Sequence, residues 1–110
     1  MWSLMASDPA TLILTSLAEG PKHGYALQQD VEAFAGVVLG PGTLYGAIGR
    51  LEERGLIAAA EPEAGAAARR RPYRLTAEGA AALKDTLDGL RAVVDTGGAR
   101  LAAAPRSAFA

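Results

Sequence analysis

Cysteine is absent from this 110-residue chain, and histidine occurs once. Without cysteine there is no disulfide framework, no cysteine-ligated zinc site and no thiol sensor. A lone imidazole, His23, builds neither a catalytic triad nor a metal cluster, so a structural role near the start of a helix is its expected use. Aromatics are few, with one Trp, three Tyr and two Phe. Half the residues are hydrophobic, but alanine supplies much of that share. The core must then be thin, and a dimer interface is a natural supplement. No stretch of roughly eighteen uninterrupted apolar residues occurs, which excludes a membrane-spanning helix. The opening Met-Trp-Ser-Leu-Met-Ala-Ser-Asp lacks the basic start and long apolar run of a signal peptide, so a cytoplasmic chain is expected.

Catalytic constellations are equally scarce. Glu52-Glu53 and Glu61-Pro-Glu63 pair carboxylates, but nothing nearby would raise a pKa or position a nucleophile. Gly40-Pro-Gly42 lacks the glycine spacing and the lysine of a phosphate-binding loop. An enzyme is not expected, nor is a metal or a cofactor.

What is present is unevenly distributed charge. Eleven basic and twelve acidic side chains leave a net charge of −1, which argues against general coating of nucleic acid. Residues 1–60 hold three basic and six acidic side chains, whereas residues 64–74 hold four arginines and no acid. Positive charge is thus gathered in one loop, where it can neutralise phosphates and release counterions.

Residues 41–75 carry the most information. Pro41 suits a first helical position, and Gly55 suits a left-handed stop. Between them Leu44, Ile48 and Leu51 recur on one face, leaving Thr43, Gly46, Arg50 and Glu53 on the other. Small residues let a backbone approach a groove closely, and Arg50 can reach a guanine edge or a phosphate. Leu56–Ala60 and Tyr73–Thr76 then read as two strands joined by a long Ala/Gly loop. Pro72 cannot donate to a ladder, so its strand is expected at a sheet edge. This is the pattern of a DNA-reading helix followed by a basic wing.

The flanking segments extend the pattern. Asp8-Pro9 opens a helix containing Leu12, Ile13, Leu14 and Leu17, apolar on more than one face and expected to meet both the domain and a partner. A second helix is expected from His23 or Gly24 to about Phe34, with Leu27, Val31 and Phe34 inward. Val37, Val38 and Leu39 are expected to pin the following turn to the core. Thr76 caps a final helix with Glu78 in its first turn. Ala80, Leu83, Leu87, Leu90 and Val94 form a narrow seam along that helix, and Gly97-Gly98 is expected to end or fray it.

Three motifs, in order, resemble the PadR family of bacterial transcriptional regulators over about Leu12 to Leu90. They are Leu17-Ala-Glu-Gly-Pro-Lys-His-Gly-Tyr25, Pro41-Gly-Thr-Leu-Tyr45 continuing through Arg50-Leu-Glu-Glu-Arg-Gly-Leu-Ile57, and Arg69-Arg-Arg-Pro-Tyr-Arg-Leu-Thr76 with Ala77-Glu-Gly79. The resemblance implies a mainly α fold with a small β-hairpin, an α+β winged helix-turn-helix with a C-terminal dimerisation helix. It divides the chain into a DNA-binding domain over 8–76, a dimerisation helix over 77–98 and a flexible tail over 99–110.

Carried across residue by residue, Tyr25, Thr43, Tyr45, Gly46 and Arg50, with Arg69, Arg70 and Arg71 on the wing, are the expected contacts to a double-stranded operator. Ile13, Leu83, Leu87, Leu90 and Val94 are the expected homodimer contacts. A ligand-responsive repressor with a small aromatic or amphipathic effector is implied. Trp2 either lines an effector pocket or packs on a partner helix. A winged helix that binds an acidic protein instead of DNA is the alternative. The chain departs from the family at Gly40, where serine is common, and at Gly46, where proline is common, with Gly49 adding a second mid-helix glycine.

Overall fold

A computed structural model describes residues 8–61 and 71–109. Helix α1, Pro9–Leu17, starts where the Asp8 carboxylate accepts from the Ala10 N–H at 3.4 Å, with proline next in line. Strand β1, Lys22–His23, leads into α2, Gly24–Ala35, which His23 caps by accepting from the Ala26 N–H at 3.4 Å. Gly36 closes α2 at φ 68°, a left-handed conformation that glycine adopts without a Cβ penalty.

Helix α3 spans Pro41–Glu53. It ends at Gly55, φ 74°, where the N–H groups of Gly55 and Leu56 return to the Glu52 and Leu51 carbonyls at 3.0 Å each. Both bonds satisfy carbonyls that a helix end would otherwise leave unpaired. Strands β2, Ile57–Ala59, and β3, Pro72–Leu75, follow, then α4, Ala77–Ala103, and a 3-10 turn over Arg106–Phe109.

The sheet is antiparallel with order β1-β3-β2. Two expectations change here. The hairpin gains a third strand from Lys22–His23, and Pro72 lies on the central strand rather than at an edge. Proline is tolerated because it is the first residue of β3, where it pairs opposite His23 and offers its carbonyl to the Ala60 N–H at 2.8 Å.

The core forms around α1, whose Leu12, Ile13, Leu14 and Leu17 are all buried. Leu27 and Val31 of α2 cover one side of it, and Leu44, Ala47, Ile48 and Leu51 of α3 another. Each such side chain contributes about 1.5 to 3 kcal/mol by leaving water. Ile13, expected at a dimer interface, is fully buried within its own chain and has no surface left for a partner. Leu83 likewise packs into its own core at 5% exposure. Phe34 and Val38, expected inward, are 48% and 68% exposed, whereas Val37 and Leu39 pack beneath the turn as expected. Gln28 secures that turn by donating its side-chain amide to the Leu39 carbonyl.

A polar tie joins the first elements. Buried Ser16 donates to the Asp30 carboxylate at 2.6 Å, and Lys22 donates to the Ser16 carbonyl while pairing with Glu19 at 2.7 Å. At the other end, Thr76 caps α4 by accepting from the Gly79 N–H at 3.0 Å and donates to the Gly55 carbonyl at 2.6 Å. Helix α4 does not stop at Gly97-Gly98. It continues through both glycines, so residues 99–103, expected in a loosely ordered tail, are helical.

Glycines separate into necessary and expendable ones. A Cβ at Gly79 would stand 1.9 Å from the Leu56 carbonyl oxygen, a backbone atom that cannot swing away. Gly79→Ala is expected to destabilise the fold by roughly 2 to 4 kcal/mol in urea melts. Nothing lies within 4 Å of a Cβ at Gly49. Gly49→Ala should instead raise stability by up to about 1 kcal/mol, through helix propensity alone.

Candidate nucleic-acid interface

Burial of Leu44, Ala47, Ile48 and Leu51 determines which side of α3 faces solvent. Thr43, Gly46, Arg50 and Glu53 are exposed, as expected from their spacing, and Tyr45 is exposed as well. Gly40 supplies no side-chain cap, so no protein hydroxyl or carboxylate answers the first-turn N–H groups at the positive end of the helix. The Arg50 guanidinium folds back along the helix, its Nη1 3.5 Å from where a Gly46 Cβ would stand. Among the described residues the ion pairs are those of Lys22 and Lys84, and Arg50 has no carboxylate within 4.0 Å.

Arg71 is exposed at the start of β3, whereas Arg69 and Arg70 lie outside the described residues, as does Trp2. Arg74 is also exposed, lining a groove with Glu19, Pro21 and the start of α4. The signal for it was strand alternation, since Tyr73 and Leu75 on either side pack against the core.

Tyrosines connect the helix to the wing. Tyr45 is 53% exposed, and its ring crosses the N-terminus of α2 so closely that a Cβ at Gly24 would meet the hydroxyl at 2.5 Å. Gly24 is therefore glycine for a steric reason. Tyr25, next to it, is 63% exposed and accepts from the Gln29 side-chain amide at 3.0 Å. On β3, the Tyr73 phenol is held above its ordinary pKa by burial first, then by the Glu52 carboxylate and the Tyr45 phenol, while Arg71 opposes the shift. The Glu52 carboxylate and the Tyr45 phenol of α3 thus act electrostatically on a partly buried hydroxyl of β3. Among the described residues no group of His, Asp and Glu could hold a metal ion, and no helix is long and apolar enough to cross a membrane.

Comparison with known proteins places this arrangement among regulators. The sequence model of the Transcriptional regulator PadR-like family matches residues 13–85. An uncharacterized 37.1 kDa protein of a Streptomyces fradiae transposon is 42% identical over 76 residues, a match covering 69% of this chain and 21% of the relative's own length. A PadR family transcription regulator from hypervirulent Clostridium difficile superposes with a TM-score of 0.73 at 26% identity, over 84% of this chain and 97% of that one. Another from Eggerthella lenta gives a TM-score of 0.69 at 32% identity, over 86% of this chain and 82% of that one.

The environment of Tyr73 has a measurable consequence. A phenol whose folded pKa exceeds its unfolded value contributes stability that is complete below pH 10.0 and is lost as pH rises through the raised value. Tyr73→Phe should remove one phenolate absorbance step above pH 10.0 and flatten the alkaline fall in stability. Loss of a step centred at pH 10.0 itself, with the alkaline fall in stability unchanged, would show that this phenol is fully solvated.

Proposed function

Because the chain belongs to the transcriptional regulator PadR-like family, we propose that it acts as a homodimeric, sequence-specific repressor whose DNA affinity responds to a small aromatic or amphipathic effector. Its partner is double-stranded DNA, and its place of action is the cytoplasm. The observation that carries this reading is Arg50, exposed and without a described counter-ion, on the solvent-facing side of α3. In the major groove a guanidinium pairs bidentately with guanine, and wing arginines neutralise phosphates of the adjacent backbone.

Roles divide accordingly. Thr43, Gly46 and Arg50 face the bases, with the two small residues allowing the α3 backbone to approach. Tyr25 and Tyr45 meet the DNA backbone, and Arg69, Arg70 and Arg71 supply the sequence-independent affinity. The seam of α4 joins the two copies, so an effector bound between them would alter half-site spacing.

Anisotropy titration of the chain against a duplex from its own upstream region and against a scrambled duplex, at two salt concentrations, tests the assignment. Arg50→Ala is expected to weaken the native duplex by about tenfold or more and the scrambled one much less. Replacing Arg69, Arg70 and Arg71 together by alanine is expected to weaken both duplexes and to lower the salt slope by about three. Absence of saturable binding to either duplex at low salt would overturn the reading in favour of an acidic protein partner.

A further inference from the structure

Gly24 is the first residue of α2 and is buried, and its φ is not among the positive ones, so no backbone conformation demands a missing side chain there. What demands it is the Tyr45 ring of α3. A Cβ at Gly24 would stand 2.5 Å from Oη, 3.0 Å from Cζ and 3.2 Å from Cε1 of that side chain. All three atoms lie at the far end of the ring, which a turn about the side-chain torsions can carry away. Gly79 is the contrast, since its obstacle is a backbone carbonyl. A methyl group at position 24 is therefore compatible with the fold but not with the place that Tyr45 occupies.

That place is held by shape alone. Among the described residues the Tyr45 hydroxyl makes no hydrogen bond, whereas the Tyr25 hydroxyl accepts from Gln29. The residue is 53% exposed, so the notch left by Gly24 covers part of the ring and leaves the rest in solvent. Tyr45 also lies near enough to β3 to act on the Tyr73 phenol. One side chain carried by α3 thus rests on α2 and is felt on β3. A hydroxyl with no internal partner, kept in one position, can donate to an incoming oxygen without first losing side-chain freedom.

We propose that Gly24 is a positioning residue for DNA contact: its notch fixes the Tyr45 ring across the start of α2, with the phenol hydroxyl set to donate to a backbone phosphate. The inference rests on the DNA-binding reading given above and adds to it a residue that acts through another side chain. Hydrogen bonds to phosphate carry no base information, so the effect is equal on every duplex. A neutral hydroxyl releases no counterion, so it leaves the salt slope unchanged. These two features set Gly24 and Tyr45 apart from Arg50, which discriminates between duplexes, and from the wing arginines, which set the slope.

Anisotropy titrations of the full chain on the native and scrambled duplexes test the proposal. Tyr45→Phe is expected to weaken both roughly tenfold at an unchanged salt slope. Gly24→Ala is expected to do the same, and the double variant to lose no more than either alone, because a displaced hydroxyl and a missing one are equivalent. Losses that multiply, or a Gly24→Ala protein that binds as tightly as the unaltered chain, would overturn the proposal. A second readout needs no DNA. Followed by carbon-13 NMR of the tyrosines, the Tyr73 phenol should titrate at lower pH in Gly24→Ala than in the unaltered chain, because the Tyr45 phenol that helps to hold its pKa up has moved away. A Tyr73 titration that does not move would mean that the ring never left its notch, against the proposal. Thermal melts separate a purely structural role: Gly24→Ala combined with Tyr45→Ala should melt no lower than Tyr45→Ala, since an empty notch accepts the added Cβ. A lower melt would assign Gly24 to packing alone. An unaltered chain that binds neither duplex at low salt would remove the DNA reading itself, whereas binding by the unaltered chain that Tyr45→Phe leaves intact would remove only this proposal.

Discussion

Everything on the outer side of α3 depends on the inner side being buried against α1. That first helix is short, and its leucines and isoleucine point in several directions, so it is stable only when covered on all sides. Helices α2, α3 and α4 supply the cover, and their orientations are set by how their apolar stripes meet it. Lys22, drawing together the Ser16 carbonyl, Glu19 and Asp30, ties the same helix to β1 and α2. If α3 reads a DNA groove as proposed above, that rigidity is needed, because a misplaced helix would lose base contacts before it lost affinity for phosphate.

The wing is fastened to the helix by close backbone approach rather than by apolar area. Gly79 lets α4 lie against the Leu56 carbonyl, and Thr76 bonds simultaneously to the turn at Gly55 and to its own helix. Tyr45 and Tyr73 complete the connection on the outward side, one resting on Gly24 and the other standing among Glu52, Tyr45 and Arg71. Aromatic rings with a polar tip suit such a place, since the ring packs while the hydroxyl stays available.

Helix α4 follows a different logic. Its root is part of the domain, but its shaft stretches the molecule to 62 × 30 × 21 Å and leaves a stripe of leucine and valine uncovered. A stripe of this length on a chain with few aromatics is a binding surface in search of area, and stability gained there is gained by mass action.

Much of this was legible residue by residue. Asp8-Pro9, Pro41, Gly55 and Thr76 announce helix ends because caps act over two or three residues, and Leu44, Ile48 and Leu51 announce the inner face of α3 because helical spacing is local. The exposed side carrying Thr43, Gly46, Arg50 and Glu53 follows by subtraction. What sequence could not reveal depended on neighbours distant along the chain. Two residues are too few to show a strand, so β1 and the central position of Pro72 emerged only with the sheet. Phe34 and Ile13 have the same hydrophobicity whether inside or out, and the volume left by other helices sent one to the surface and the other to the core. Local chemistry thus decided where each helix begins, where α3 stops and which side of it is apolar, but not where α4 stops. Contacts between elements decided which glycines admit no side chain and which apolar residues remain uncovered, because those depend on distances that no span of neighbouring residues encodes.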